Sequence, residues 1–282
     1  GGMLGLRLIV ALASTCLVAS SNYVLNEVLD AEYDRLHPEK RFRPVAMGQV
    51  CIPIAYAEWV LLGIVGISLG AAVNWRFAGL SLLLWLAGTA YNVPPVRMKD
   101  FPYADVLGES INNPIRMALG WYATGTSALP PMSVLLSYWM FGAFLMAMKR
   151  YAEYRHVGDE KQAGSYRRSF RYYNEERLIE SLFFYGALFG MFSGVFMARY
   201  HVELIFATPL VAYAMAYYMH LGFKPNSPVQ YPERLYRQKK LSLIVTVTFL
   251  ACTLLLFARI ETFRRAIEPP PRALGSGGGG GS

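Results

Sequence analysis

Three oxygen-bearing side chains, Asn26, Asp30 and Asp34, recur at every fourth residue where the first apolar run ends, with Glu27 beside them. At about 100° per residue this spacing drifts only about 40° per step, so one helix face carries all three. Hard Mg²⁺ suits such a set, because it takes a few carboxylates and completes its shell with water and substrate phosphates. The plainer reading is a solvated helix end whose acids balance nearby bases. Acids stacked on one face repel unless a cation sits between them, which favours the metal. Asn26, Glu27, Asp30 and Asp34 are therefore the expected Mg²⁺ ligands, and Asn26, Asp30 and Asp34 the expected catalytic group.

Bases follow at once in Arg35-Leu36-His37-Pro38-Glu39-Lys40-Arg41-Phe42-Arg43-Pro44. Pro38 predicts a helix stop, and the bases beyond it lie where a diphosphate held by metal and cations together needs them. Topology alone accounts for any single base, but less readily for acids and bases packed together. Further on, Asp105, Glu109, Asn112 or Asn113, and Arg116 follow i, i+4, i+7/8, i+11, a polar stripe about 16 Å long on an otherwise apolar helix. Ionisable groups at such depth face the bundle interior or water, so the stripe predicts a cavity descending into the bundle. A structural Glu109–Arg116 pair is the alternative, and Asn113-Pro114 is expected to loosen the backbone locally. Tyr91 and the loop bearing Arg97, Lys99 and Asp100 supply donors on the same side. In Lys149-Arg150-Tyr151-Ala152-Glu153, the carboxylate stands i+4 and i+3 from the two cations and can turn either toward a ligand. Simple snorkelling of those bases is the competing explanation. The 165–177 stretch, SYRRSFRYYNEER, is expected to lie on lipid headgroups or to cap the cavity.

The elements that must position these groups are transmembrane helices. Of 282 residues, 54% are hydrophobic and 16% charged, where a soluble domain carries about 25% charged. Apolar runs of membrane-spanning length lie at about 4 to 24, 51 to 73, 75 to 93, 106 to 126, 131 to 151, 179 to 200, 202 to 222 and 240 to 259. The expected fold class is thus an all-α membrane protein with eight helical spans, since open sheet edges find no partners in lipid. Most basic residues fall in alternate loops, at 35–43, 97–99, 149–177 and 224–240, which makes those loops and the acid-bearing face cytoplasmic. This gives a multi-pass inner (plasma) membrane protein. Net charge is +8, yet nucleic acid is excluded as a partner because the bases are interleaved with long apolar segments. Anionic headgroups and phosphate substrates explain the charge better. Cys16, Cys51 and Cys252 are not placed to form a disulfide framework. Residues 275–282, GSGGGGGS, read as a flexible linker of engineered type.

The run Asn26-Glu27-x-x-Asp30-x-x-x-Asp34, followed by His37-Pro-x-Lys40-Arg-x-Arg43-Pro44, resembles the first Asp-rich motif of UbiA-type intramembrane transferases. Glu27 stands where those enzymes most often carry Asp, which keeps the charge and lengthens the arm. Lys99-x-x-Pro102-x-x-Asp105 with Arg116, and Lys149-Arg150-Tyr151-x-Glu153, are similar to segments of the branch that contains the decaprenyl-phosphate phosphoribosyltransferases. A second DxxxD cluster, usual in the prenyl-transferring members, does not fit Asp100 and Asp105. The resemblance implies a UbiA-like bundle over residues 3–267, with a ninth, N-terminal span of that family absent from the sequence. It further implies Mg²⁺-dependent transfer of 5-phosphoribosyl from phosphoribosyl diphosphate to a polyprenyl (decaprenyl) phosphate, a cell-wall precursor type of lipid. In that scheme Lys40 and Arg43 take the leaving diphosphate. Lys99, Arg116, Lys149 and Arg150 are candidates for the donor's 5-phosphate or the lipid phosphate, with Tyr91, Asp105 and Glu153 as further substrate-site residues. A prenyltransferase acting from a prenyl diphosphate onto an aromatic or other acceptor is the alternative. A homo-oligomer is compatible with the sequence but not indicated by it.

Overall fold

The computed structural model describes residues 2–36, 40–157 and 167–258, and every regular element among them is helical. His37-Pro38-Glu39 and the 275–282 linker lie outside the described residues. The first helix, α1 (Gly2–Leu36), runs unbroken from the first apolar run through all four predicted ligands. No Gly or Pro interrupts it after Gly5. There follow α2 (Ile52–Val73), α3 (Trp75–Asn92), α4 (Ala104–Ser110), α5 (Asn112–Ala123), α6 (Met132–Val157), α7 (Glu175–Tyr200), α8 (Thr208–Gly222) and α9 (Lys239–Phe257).

Six of these segments are long and apolar enough to cross a membrane: α1, α2, α6, α7, α8 with the turn before it, and α9. The two other expected spans differ in kind. Helix α3 carries Arg76 in its first turn and Tyr91 and Asn92 in its last, which dilutes its apolar length. The run expected as one helix at 106 to 126 is two, α4 and α5, meeting at Ile111. Pro114 is the physical cause: it has no N–H to give the Ser110 carbonyl, and its ring crowds that turn. The next bond of the series, Ile115 N to Ile111 O, is stretched to 3.4 Å.

Small residues and buried hydroxyls join the first three helices, as expected where lipid removes the hydrophobic drive for helix association. Ser14 Oγ donates to Gly66 O at 2.6 Å, and Ser21 Oγ to Trp59 O at 2.6 Å. Asn22 Nδ2 donates to Leu84 O at 2.9 Å. Gly66 is obligatory at this approach, because a Cβ there would lie 2.7 Å from a Val18 methyl. One apolar core gathers α1, α2, α3 and α5 around Val18, Phe77, Leu84 and Leu119. A second gathers α4, α6, α7 and α8 around Phe144, Met148, Leu178 and Leu182. The α4–α5 break therefore carries the chain from one half of the bundle to the other, and the charged groups collect between the halves at one end.

Candidate active site

The acid-bearing end of α1 faces the loops at 40–51 and 93–103. Asp30 Oδ1 accepts from Lys99 Nζ, and Arg97 Nη2 lies 3.4 Å from the same oxygen. Lys99 Nζ also donates to Asn92 Oδ1 at 2.8 Å, so α3 and its following turn fix this lysine. Asp34, 4% exposed, accepts from Arg43 Nη1 at 2.7 Å. Glu27 Oε1 accepts from Val45 N at 3.1 Å and pins the 40–51 loop to α1. Asn26 is half-buried on the same face. The basic loop thus folds back beside the acids, as its spacing predicts.

A second cluster forms around Arg150 of α6, which is 1% exposed. Its Nε donates to Asp105 Oδ2 at 3.1 Å, Nη1 to Glu153 Oε2 at 2.9 Å and Nη2 to Glu109 Oε2 at 2.9 Å. One guanidinium therefore satisfies three carboxylates from two helices. Asp105, fully buried, also accepts from Ser169 Oγ at 3.1 Å and Tyr173 Oη at 2.7 Å. Tyr91 Oη donates to Glu109 at 3.0 Å and accepts from Arg167 Nη2 at 3.1 Å. The described part of the 165–177 loop, from Arg167 on, accordingly inserts into the bundle end and caps it. Lys149 sits more loosely, 3.9 Å from Glu153 Oε1.

Asp105, Glu109 and Arg116 do not share one cavity. Glu109 pairs with Arg150 rather than Arg116, and the kink at Ile111 sends Arg116 into an apolar cavity of about 630 Å³ with Ser137, Phe141, Phe189, Val245 and Phe249. Arg97, named with its loop as a donor on this side, joins the site, as do Arg167, Ser169 and Tyr173, which the sequence did not single out. Arg97 neighbours Lys99, and the others lie in the loop of mixed bases and aromatics; that composition is their only sequence signal.

The electrostatics follow from burial and charge. Lys40 is exposed as a residue, but protein crowds its ammonium, and desolvation lowers its pKa from the usual 10.5; Glu153 and Asp34 oppose this, while Arg43 and Lys149 add to it. Lys40 thus stands between the α1 acids and the α6 cluster. Lys99 is likewise lowered by burial, against the pull of Asp30. Burial raises the Tyr173 phenol, and the Asp105 carboxylate raises it further, so this hydroxyl stays a donor. Burial and Arg150 press Arg167 toward losing its proton, yet Tyr91, Asp105 and Glu153 more than compensate.

As a metal site, the α1 face fits Mg²⁺ in a particular sense. Among the described residues no three His, Cys, Asp or Glu side chains converge as a protein-only cage. Mg²⁺ does not need one: it is usually held by one or two carboxylates, with water and substrate phosphates filling its shell. Asp30 and Asp34, with the Asn26 amide oxygen, supply that kind of donor set, now balanced by Lys99, Arg97 and Arg43.

A sequence model of the UbiA prenyltransferase family matches residues 1–244. A decaprenyl-phosphate phosphoribosyltransferase of Mycolicibacterium smegmatis is 34% identical over 146 residues, covering 51% of this chain and 44% of that protein. Its counterpart in Mycobacterium tuberculosis is 36% identical over 139 residues, covering 49% of this chain and 44% of that protein. The match therefore spans less than half the length of these curated relatives. Among solved structures, a UbiA homolog from Archaeoglobus fulgidus bound to GPP and Mg²⁺ superposes with a TM-score of 0.66 at 19% identity, over 89% of this chain and 88% of that one. That likeness establishes the fold. With the family match running through both charged clusters and most of the helices that hold them, the chain belongs to the UbiA prenyltransferase family.

Proposed function

We propose that the chain transfers 5-phosphoribosyl from phosphoribosyl diphosphate to a polyprenyl phosphate, decaprenyl phosphate being the acceptor class that its relatives' names indicate. The observation that carries this reading is the presence of cations at two flanks of one bundle end. Arg43, Arg97 and Lys99 lie on the α1 acids, Lys149 lies beside Glu153, and Lys40 stands between the two groups. A donor with phosphate at both ends needs two such groups.

In this reading Asp30, Asp34 and Asn26 hold Mg²⁺, with Glu27 fixing the neighbouring loop. The metal, when bound, neutralises charge that develops on the departing diphosphate. Lys40 and Arg43 bind that diphosphate from the other side. An oxygen of the lipid phosphate attacks the anomeric carbon, the bond from that carbon to the diphosphate oxygen breaks, and diphosphate leaves with the bonding pair. The attacking oxygen is already anionic, so no strong base is required. Lys99 and Arg97 keep Asp30 oriented; Arg150, Asp105 and Glu109 keep α4 and α6 in register beneath Tyr91 and Lys149. Arg116 and its apolar cavity take the region where phosphate meets prenyl tail, and the face of this site is cytoplasmic.

The GPP-bound neighbour favours a second reading, transfer of a prenyl chain from its diphosphate. Competition binding separates the two. Phosphoribosyl diphosphate is expected to bind at least about tenfold tighter than the analogue lacking the 5-phosphate, the loss of one charge-assisted anchor. Equal binding of the two, with tighter binding of geranyl diphosphate, would favour the prenyl reading.

A further inference from the structure

At the end of the bundle remote from the acids, a cavity of about 200 Å³ opens between the start of α1, the α2–α3 corner and the turn after α5. Arg7, Asn74, Trp75, Arg76, Gly125 and Ser127 line it, and none of its lining residues is acidic. Arg7 and Asp30 lie on one unbroken helix, so about 35 Å of axis separates them at 1.5 Å per residue. A hydrocarbon core is about 30 Å thick, which puts the two charged ends at opposite headgroup levels. Trp75, 77% exposed, and the exposed Trp121 stand beside the cavity, as interfacial aromatics do.

The walls are built to hold two guanidinium groups. Gly125 has φ +87°, and a Cβ there would lie 2.0 Å from Arg7 Nη1, so the Arg7 head fills space that only glycine leaves. Arg76 Nη1 donates to Ser127 O, and its guanidinium carbon lies 5.1 Å from the Trp75 ring centre and 5.6 Å from that of Tyr122. Asn74 locks the corner, accepting from Phe77 N at 2.9 Å and donating to Tyr122 O at 2.9 Å. Both guanidinium groups line this one concavity and no acid does, so an anion seated there meets positive charge from two elements with no carboxylate of the wall opposing it. Arginine's fork suits phosphate oxygens in particular.

We infer that this cavity binds a phosphate group at the membrane face opposite the active site, supplied by an anionic phospholipid headgroup or by free phosphate. Native mass spectrometry of the full chain in detergent, with phosphatidylglycerol, phosphatidylcholine or inorganic phosphate added, tests it on the wild type, Arg7→Gln, Gly125→Ala and Arg199→Gln. The expected result is phosphatidylglycerol held about tenfold more strongly by the wild type than by Arg7→Gln or Gly125→Ala. Phosphatidylcholine should be held weakly throughout, and Arg199→Gln, which removes a charge outside the cavity, should behave as the wild type. Displacement of the lipid by inorganic phosphate would assign the source to water, and resistance to it would assign the headgroup; both keep the site. Arg7 is an exposed side chain, so Arg7→Gln decides the matter even if Gly125→Ala fails to fold. Equal lipid retention by the wild type and Arg7→Gln, or an equal loss in Arg199→Gln, would overturn the inference.

Discussion

Arg150 shows how much one side chain carries in this bundle. Its three nitrogens are taken by Asp105, Glu109 and Glu153, so removing it strips the buried Asp105 and Glu153, and the half-buried Glu109, of the cation they share. Arg150→Met is expected to destabilise the fold by about 3–5 kcal/mol, read as a lower unfolding temperature in detergent. Arg150→Lys should not restore stability, because a single ammonium cannot reach three directions in a plane. Lys40 makes a different prediction. Burial lowers its pKa from 10.5, so donor affinity should be complete at lower pH and weaken as pH rises through the depressed value, before an ordinary lysine titrates. The same shift has the opposite sign for folding: the unfolded chain binds more protons in that window, so stability rises with pH there. Lys40→Arg should flatten the alkaline limb of a KM-against-pH profile, and an unchanged limb would remove Lys40 from the donor site. The Lys149–Glu153 spacing predicted a carboxylate that could aim a cation at a ligand. That spacing could not show Asp105 and Glu109 arriving from another helix to engage Arg150 fully. Arg167, Ser169 and Tyr173 were hidden for a related reason, since a loop has no period from which to read a facing direction.

At the scale of elements, apolar length gave the helix positions closely, and the acids' spacing placed Asn26, Asp30 and Asp34 on one face of a helix that is indeed continuous. Apolar length failed at 106 to 126, where composition reads as one span and Pro114 divides it. The Asn113-Pro114 signal was legible, but its consequence was not: a local loss of one backbone bond sends Arg116 to an apolar cavity away from the packed cluster around Asp105. Pro114→Ala restores an N–H for the Ser110 carbonyl, and the fold should be as stable as before or more so. Transfer activity should nevertheless fall about tenfold or more, because a straightened helix moves Arg116 relative to the acids. Activity unchanged in a straight-helix variant would mean that the kink does not position the site.

Over the whole molecule, two packed halves meet along α4 and α5; ionisable groups of both signs collect between them at one end, and arginines line a cavity at the far end of the first half. One end carries acids and cations together, suited to a metal-bound diphosphate; the other carries arginines without acids in the cavity wall. In the proposed reading, the acid-bearing end takes a soluble donor from one side of the membrane and a lipid acceptor from within it. Mg²⁺ removal by a chelator should abolish transfer and re-addition restore it, with the helix content unchanged by circular dichroism. The most direct test of the account is transfer itself. The full chain in nanodiscs is incubated with Mg²⁺, decaprenyl phosphate and radiolabelled phosphoribosyl diphosphate, alongside Asp30→Asn. The account predicts label in the lipid fraction, reduced at least about 10²-fold in the variant; no label from this donor, with turnover of a prenyl diphosphate instead, would contradict it.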